Sequence, residues 1–144
     1  MTAKEMWAAF SQKARLEADY EAWSYGDDPD LLAQLTLDGI KTATASAHLW
    51  YEREGEPIPQ PGEYSVILNS WDEAVCIIQT TGVFIVPFDR VDEIQAFREG
   101  EGDRSLDYWR QTHRRFFTEE LKSIGLPFDE KMLVVCEEFR KVYP

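Results

Sequence analysis

The stretch EPIPQPGEYSVILNSWDEAVCIIQTTGVFIVPF, residues 56–88, decides the fold. Pro57, Pro59 and Pro61 remove backbone donors and fix the chain direction, so no helix passes through the start of this segment. The apolar period then changes. Tyr64, Val66 and Leu68 alternate with Ser65, Ile67 and Asn69, while Ala74–Thr81 and Gly82–Phe88 are apolar and rich in β-branched residues. SWDE at 70–73 supplies a hairpin turn, and the segment predicts two or three consecutive strands.

Helical signals surround these strands. On the N-terminal side Met6, Phe10 and Ala14 recur at four-residue spacing, and the helical region is expected to end at Gly26. Asp28-Pro29 reads as the cap and first position of a second helix; Leu31, Leu32 and Leu35 form its stripe and Gly39 its left-handed stop. Ala45–Glu54 reads as a short helix carrying His48, Trp50 and Tyr51. On the C-terminal side a short helix over Val91–Glu99 ends at Gly100. A long one over Ser105–Ile124 is stopped by Gly125-Leu126-Pro127, and Met132–Phe139 returns as a last strand. The order predicts an α+β domain spanning residues 1–144, with a small, largely antiparallel sheet or barrel and an N-terminal helical extension over 1–27.

Composition excludes several classes. A hydrophobic fraction of 44% in 144 residues supports a real core without staples, which removes disorder from consideration. The longest apolar runs are too short to cross a bilayer and no signal peptide opens the chain, so a cytoplasmic location and no membrane partner are expected. A net charge of −12 speaks against a protein that coats duplex DNA, although Arg104, Arg110, Arg114 and Arg115 leave room for a local basic pocket. Cys76 and Cys136 sit in apolar, strand-like runs and read as buried free thiols.

The chemistry-bearing segment is LDGIKTATASA, residues 37–47, where Lys41 and the hydroxyls of Thr42, Thr44 and Ser46 follow a helix stop. A cation beside hydroxyls suits phosphate binding or an activated oxygen nucleophile, although spacing alone favours ordinary roles for both Lys41 and Thr44. A second segment, EGEGDRSLDYW, brings Glu99, Glu101, Asp103, Arg104 and Ser105. Three alternating carboxylates are oxygen ligands suited to Mg²⁺ or Mn²⁺, but they match no calcium-loop spacing. Asp103 or Ser105 reads as the cap of the following helix. Glu101 has no such duty and is the better acid-base candidate. His113 falls on the apolar face of the long helix and reads as a core histidine.

GIKTATAS, EGEPIPQPGEYSVIL, VCIIQTTGVFIVPFDRV and EGEGDRSLDYWR, in this order, resemble the ASCH-domain family over about Leu31 to Phe139. The resemblance implies a small β-barrel related to the PUA fold, flanked by helices, with a cleft beside the Gly-x-Lys-x-x-Thr segment. It also implies RNA-linked function: a ribonuclease-like hydrolase of single-stranded RNA or nucleotides, or an amidohydrolase of N4-acetylcytidine, or a non-catalytic RNA-binding module. The layout with an N-terminal extension looks more like the ribonuclease-type members. In the short amidohydrolases a Lys, a Thr three residues later and a downstream Glu form the catalytic set. Lys41 and Thr44 match the first two; Glu99 or Glu101 fills the third, and Glu101 is chosen because it lies nearer the DRSL helix start. Under the ribonuclease reading Arg104 and Ser105 contact phosphate, and a divalent ion, Mn²⁺ or Mg²⁺, enters only there. Replacing Lys41 by Ala is expected to abolish turnover with little effect on stability.

Overall fold

The computed structural model describes all residues, 1–144. Five helices pack on one five-stranded sheet, and the elements run α1 (Ala3–Ala14), β1 (Tyr20–Trp23), α2 (Pro29–Leu37), β2 (Ala43–Ala47), α3 (His48–Glu54), β3 (Tyr64–Leu68), β4 (Ala74–Pro87), α4 (Glu93–Glu99), α5 (Leu106–Lys122) and β5 (Leu133–Tyr143). The strand order is β1-β3-β4-β5-β2. All neighbours are antiparallel except β1 and β3, which run parallel from Tyr20 opposite Tyr64 to Trp23 opposite Ile67.

The expected α+β class and largely antiparallel sheet hold, and the closed barrel does not. Closure requires the edge strands β1 and β2 to pair, and they do not. Both instead line a single cleft, so an opening lies where a barrel would close.

The predicted Ala74–Thr81 and Gly82–Phe88 strands are one continuous β4, with a register shift against β5 between Thr80 and Gly82. A bulge of this kind bends a strand without ending it. The N-terminal extension also differs from expectation. Tyr20–Trp23 is a strand integral to the sheet, and its four-residue YEAW pattern gives no apolar alternation to read. Ala45–Ala47, expected as the first turn of a helix over Ala45–Glu54, belongs instead to the strand Ala43–Ala47, because pairing with β5 overrides the helical preference of its alanines.

Packing builds three clusters. Met6 and Phe10 of α1 close over Val66 and Ile77. Leu32 and Ala33 of α2 bury Ile67, Cys76, Ile78 and Phe139. Trp109 and Phe117 of α5 join Phe88, Ala47, Val134 and Cys136. Both thiols are free and buried as expected, and burial pushes each up to about 12, which leaves them unreactive.

Local signals mostly match their elements. Thr2 and Glu5 form a capping box on α1, Ser105 caps α5 through the Tyr108 amide, and Gly39 takes φ +76° after α2. Asp28 is the exception: it precedes Pro29 in a left-handed conformation and makes no side-chain cap. The neighbouring Asp30 instead braces the β3–β4 turn, accepting from the Ser70 amide and hydroxyl, each at 2.8 Å.

The chain leaving α2 is fastened to the chain leaving α4. Thr42 N–H donates to the Arg98 carbonyl at 2.7 Å, and Gly100 ends α4 at φ +74° against the Ile40 carbonyl. A Cβ at position 100 would lie 2.8 Å from that oxygen, which nothing but backbone movement relieves. Gly100→Ala is therefore expected to cost about 2 kcal/mol and lower Tm by roughly 5–10 °C in a thermal melt.

Candidate functional site

Lys41 follows the α2 stop directly, and its side chain turns inward to become one of the largest fully buried groups in the molecule, 1% exposed. Its ammonium meets three acceptors: the Glu99 carbonyl at 3.4 Å, Glu99 Oε1 at 3.5 Å and Glu101 Oε2 at 3.2 Å. The Tyr25 ring lies 5.3 Å from Nζ and adds a cation–π contact. Tyr25 is itself fixed by a 2.8 Å bond between its hydroxyl and that of Thr36. Both segments singled out in the sequence therefore meet, with Glu99 and Glu101 on either side of one cation.

Glu99 is as buried as Lys41 and has both oxygens occupied. Oε1 faces Lys41 and His113 Nε2, the latter at 3.3 Å, while Oε2 accepts from Gln95 Nε2 at 3.1 Å and from the Trp109 indole N–H. Burial alone would raise its pKa, but the charges of His113 and Lys41 and the hydrogen bonds outweigh it and hold the carboxyl near 2. His113 is the counterpart: burial works to lower its pKa, Glu99 and Glu101 to raise it, and the net direction is upward. The ring stacks on Trp109 at 4.1 Å and its Nδ1 faces the Trp109 carbonyl at 2.9 Å.

Thr44 sits on β2 and lines a recess of about 50 Å³ shared with Lys41, Glu99, Glu101, His113 and Tyr25. The Thr44 carbonyl accepts from Gln95 Nε2 at 3.2 Å, which ties the strand to the buried Glu99. Glu101 is the more open carboxylate, with 15% of its side chain exposed against 1% for Glu99. The recess adjoins a larger cleft of about 820 Å³, and Tyr25, Gly26, Thr44, Ala45 and Phe116 line both. The cleft is lined by Asp19, Glu21, Glu56, Glu63, Glu120 and Glu137, and by no Lys or Arg.

The sequence-based candidates therefore divide. Lys41, Thr44 and Glu101 gather at the recess. Arg104 and Ser105 line neither cavity: Arg104 stacks on Phe97 at 3.7 Å and donates to the Phe97 carbonyl, while Ser105 caps α5. Asp103 accepts from the Ser105 amide. His113 is buried as expected, yet it belongs to the ionic cluster, which its helical spacing concealed. Glu99 is a full member beside Glu101. Gln95, Trp109 and Tyr25 carry no sequence signal for their roles, since each acts through contacts with distant segments.

Glu99, Glu101 and His113 bring ligand atoms within 4.8 Å of one another, a grouping suited in principle to a divalent ion. The donor set does not fit one. Every Glu99 oxygen is already bonded, and the Lys41 ammonium holds the position between the two carboxylates. Burial also corrects the expectation for Lys41→Ala, because truncation would remove one of the two cations that balance the interior Glu99 carboxylate.

An open five-stranded sheet with flanking helices and a cleft between its edges defines a PUA-like α+β domain. The chain belongs to the ASCH-domain family, whose sequence model matches residues 21–143; members of this family are often RNA-binding. An ASCH domain from Lactobacillus crispatus JV V101 is 33% identical, with a TM-score of 0.91 over 98% of this chain and 94% of that one. A protein from Enterococcus faecalis V583 is 37% identical, with a TM-score of 0.86 over 97% and 87%. No curated protein matches the sequence. No helix is long and apolar enough to cross a membrane.

The cluster sets a pH window. Glu99, depressed, contributes stability that is full above its ordinary value of about 4.3 and is lost as pH falls toward 2. His113, raised, contributes stability that is full below about 6.5 and is lost as pH rises through its folded value. Thermal melts across pH are expected to peak between about pH 4.5 and 6.5, and His113→Asn to remove the alkaline decline selectively. Lys41→Ala is expected to cost up to about 3–5 kcal/mol by chemical denaturation, because it removes one of the two cations that face the buried Glu99 carboxylate and leaves only His113.

Proposed function

We propose that the protein is a small hydrolase that cleaves an acyl amide on a nucleoside, with Thr44, Lys41 and Glu101 as its reacting groups. The observation that supports this reading best is their convergence on one recess at the edge of a larger cleft. Thr44 Oγ1 attacks the acyl carbon while its proton passes to the Glu101 carboxylate. The Lys41 ammonium, held in place by two carboxylates, stabilises the oxyanion of the tetrahedral intermediate. Glu101 then gives the proton to the leaving amine as the carbon–nitrogen bond breaks. Glu101 next takes a proton from the water that adds to the threonine ester and returns it to Thr44 Oγ1 as the ester bond breaks, which releases the acid and restores both groups. Each of the three roles is worth about 10²- to 10³-fold in rate.

Cleavage of an RNA strand draws less support. A polyanion entering this cleft meets six carboxylates and no Lys or Arg, and the candidate phosphate contacts Arg104 and Ser105 are engaged elsewhere. The carboxylate cluster does not fit a divalent ion, so no step of the proposed reaction runs through a metal.

Incubation with N4-acetylcytidine and with short single-stranded RNA, with and without Mn²⁺ or chelator, distinguishes these chemistries by mass spectrometry. The expected result is release of acetate and cytidine that a chelator leaves unchanged. Thr44→Ala should lower turnover by at least about 10²-fold without moving Tm, since no hydrogen bond of the fold uses its hydroxyl, and Thr44→Ser should retain activity. Manganese-dependent RNA cleavage with no deacetylation would falsify the proposal. Binding of RNA without any hydrolysis would replace it with the non-catalytic module.

A further inference from the structure

Glu137 stands directly opposite Thr44 in the β2–β5 ladder, so both side chains leave the same face of the sheet, and both residues line the cleft. It is 8% exposed. Its Oε1 is fixed by the Thr80 hydroxyl at 2.6 Å, whereas Oε2 has no partner within the protein. Burial pushes its pKa up, the Thr80 bond opposes this, and the charges of Glu63 and Glu21 push it further up. Oε2 is not enclosed by protein, so it is open to a donor from water or from a ligand in the cleft.

The surroundings limit what that ligand is. Trp50 and Tyr51 from α3 and Trp23 from β1 line the same cleft, giving planar apolar surface suited to a flat ring. The Tyr51 and Ser46 hydroxyls pair at 2.8 Å, fixing a second polar point beside Thr44 on β2. The absence of any Lys or Arg among the lining residues suits an uncharged or cationic ring rather than a phosphate.

We propose that Glu137 is the specificity-determining residue of this cleft, with its free Oε2 accepting an exocyclic N–H from a heteroaromatic ring and thereby selecting amino- or amido-substituted rings over oxo-substituted ones. The chemistry is that of a carboxylate reading the amino edge of a cytosine-like base. A ring with a carbonyl at that position would face the carboxylate lone pairs and be rejected. The inference rests on the hydrolase reading only for which group reaches Thr44, since the ring subsite is defined by its own residues. Thr80 is a positioning residue: it aims the carboxylate and does not touch the ring.

The test is direct binding, independent of turnover. Cytidine and uridine, neither of which carries an acyl group to cleave, are titrated against the parent protein while the tryptophan fluorescence and binding heat are followed. Cytidine is expected to bind at least about tenfold more tightly than uridine. In Glu137→Gln the amide oxygen takes the Thr80 hydroxyl and the NH₂ group faces the cleft, so the ratio should fall to about three or below, or reverse. Thr80→Ala, which leaves the carboxylate in place but unaimed, should reduce the ratio by a smaller factor and guards against a folding defect in the first variant. A ratio unchanged in Glu137→Gln, or no preference in the parent protein, overturns the inference even if deacetylation proceeds. Conversely, a preference that disappears in Glu137→Gln sustains it even if no hydrolysis is detected, which separates its fate from that of the hydrolase reading.

Discussion

A lysine ammonium enclosed by protein, between the carboxylates of Glu99 and Glu101, is the constraint on which the molecule is organised. Burying one charge without partners is prohibitively costly, so the chain must deliver the partners to it. The left-handed turn at Gly39 directs Lys41 inward, and Gly100 lets the end of α4 approach Ile40 closely enough to present Glu99 and Glu101. Gln95 couples Glu99 to the backbone of Thr44, and His113 with Trp109 carries the same carboxylate into α5. One ionic cluster thus links α2, β2, α4 and α5, which belong to different parts of the chain.

That arrangement also explains why the two glutamates differ. Glu99 is saturated with hydrogen bonds and held ionised, which suits a residue that fixes Lys41. The Glu101 side chain keeps one hydrogen bond, to Lys41, and partial exposure, which suits a residue that exchanges a proton with a substrate. The division follows from environment, since the two lie two positions apart on the same turn. Thr44 and Glu137 face each other across β2 and β5 on the cleft face, where the proposed reaction uses the first as nucleophile and the proposed specificity uses the second as acceptor.

Much of this was legible in the sequence where the signal is local. The prolines at 57, 59 and 61 and the alternation after Tyr64 located the sheet, and Gly39, Gly100 and Ser105 marked helix ends correctly. Lys41 and Thr44, whose spacing alone favoured ordinary roles, were singled out through the resemblance to the ASCH family, and the structure brings both to one recess. Signals that depend on distant pairing were not legible: Tyr20–Trp23 becomes a strand only because β3 lies beside it, and Ala43–Ala47 only because β5 does. His113 reads as core from its helical face because the sequence does not show that Glu99 ends α4 against it. The open sheet escaped for the same reason, since closure depends on whether two short edge strands meet.

Trapping the covalent intermediate tests the central assignment most directly. The protein is mixed with N4-acetylcytidine, quenched rapidly in acid and digested for peptide mass spectrometry. The account predicts an acetyl group on the peptide carrying Thr44, absent when the same experiment uses Thr44→Ala. An acetyl group confined to another residue, or deacetylation by Thr44→Ala at the parent rate, would contradict it.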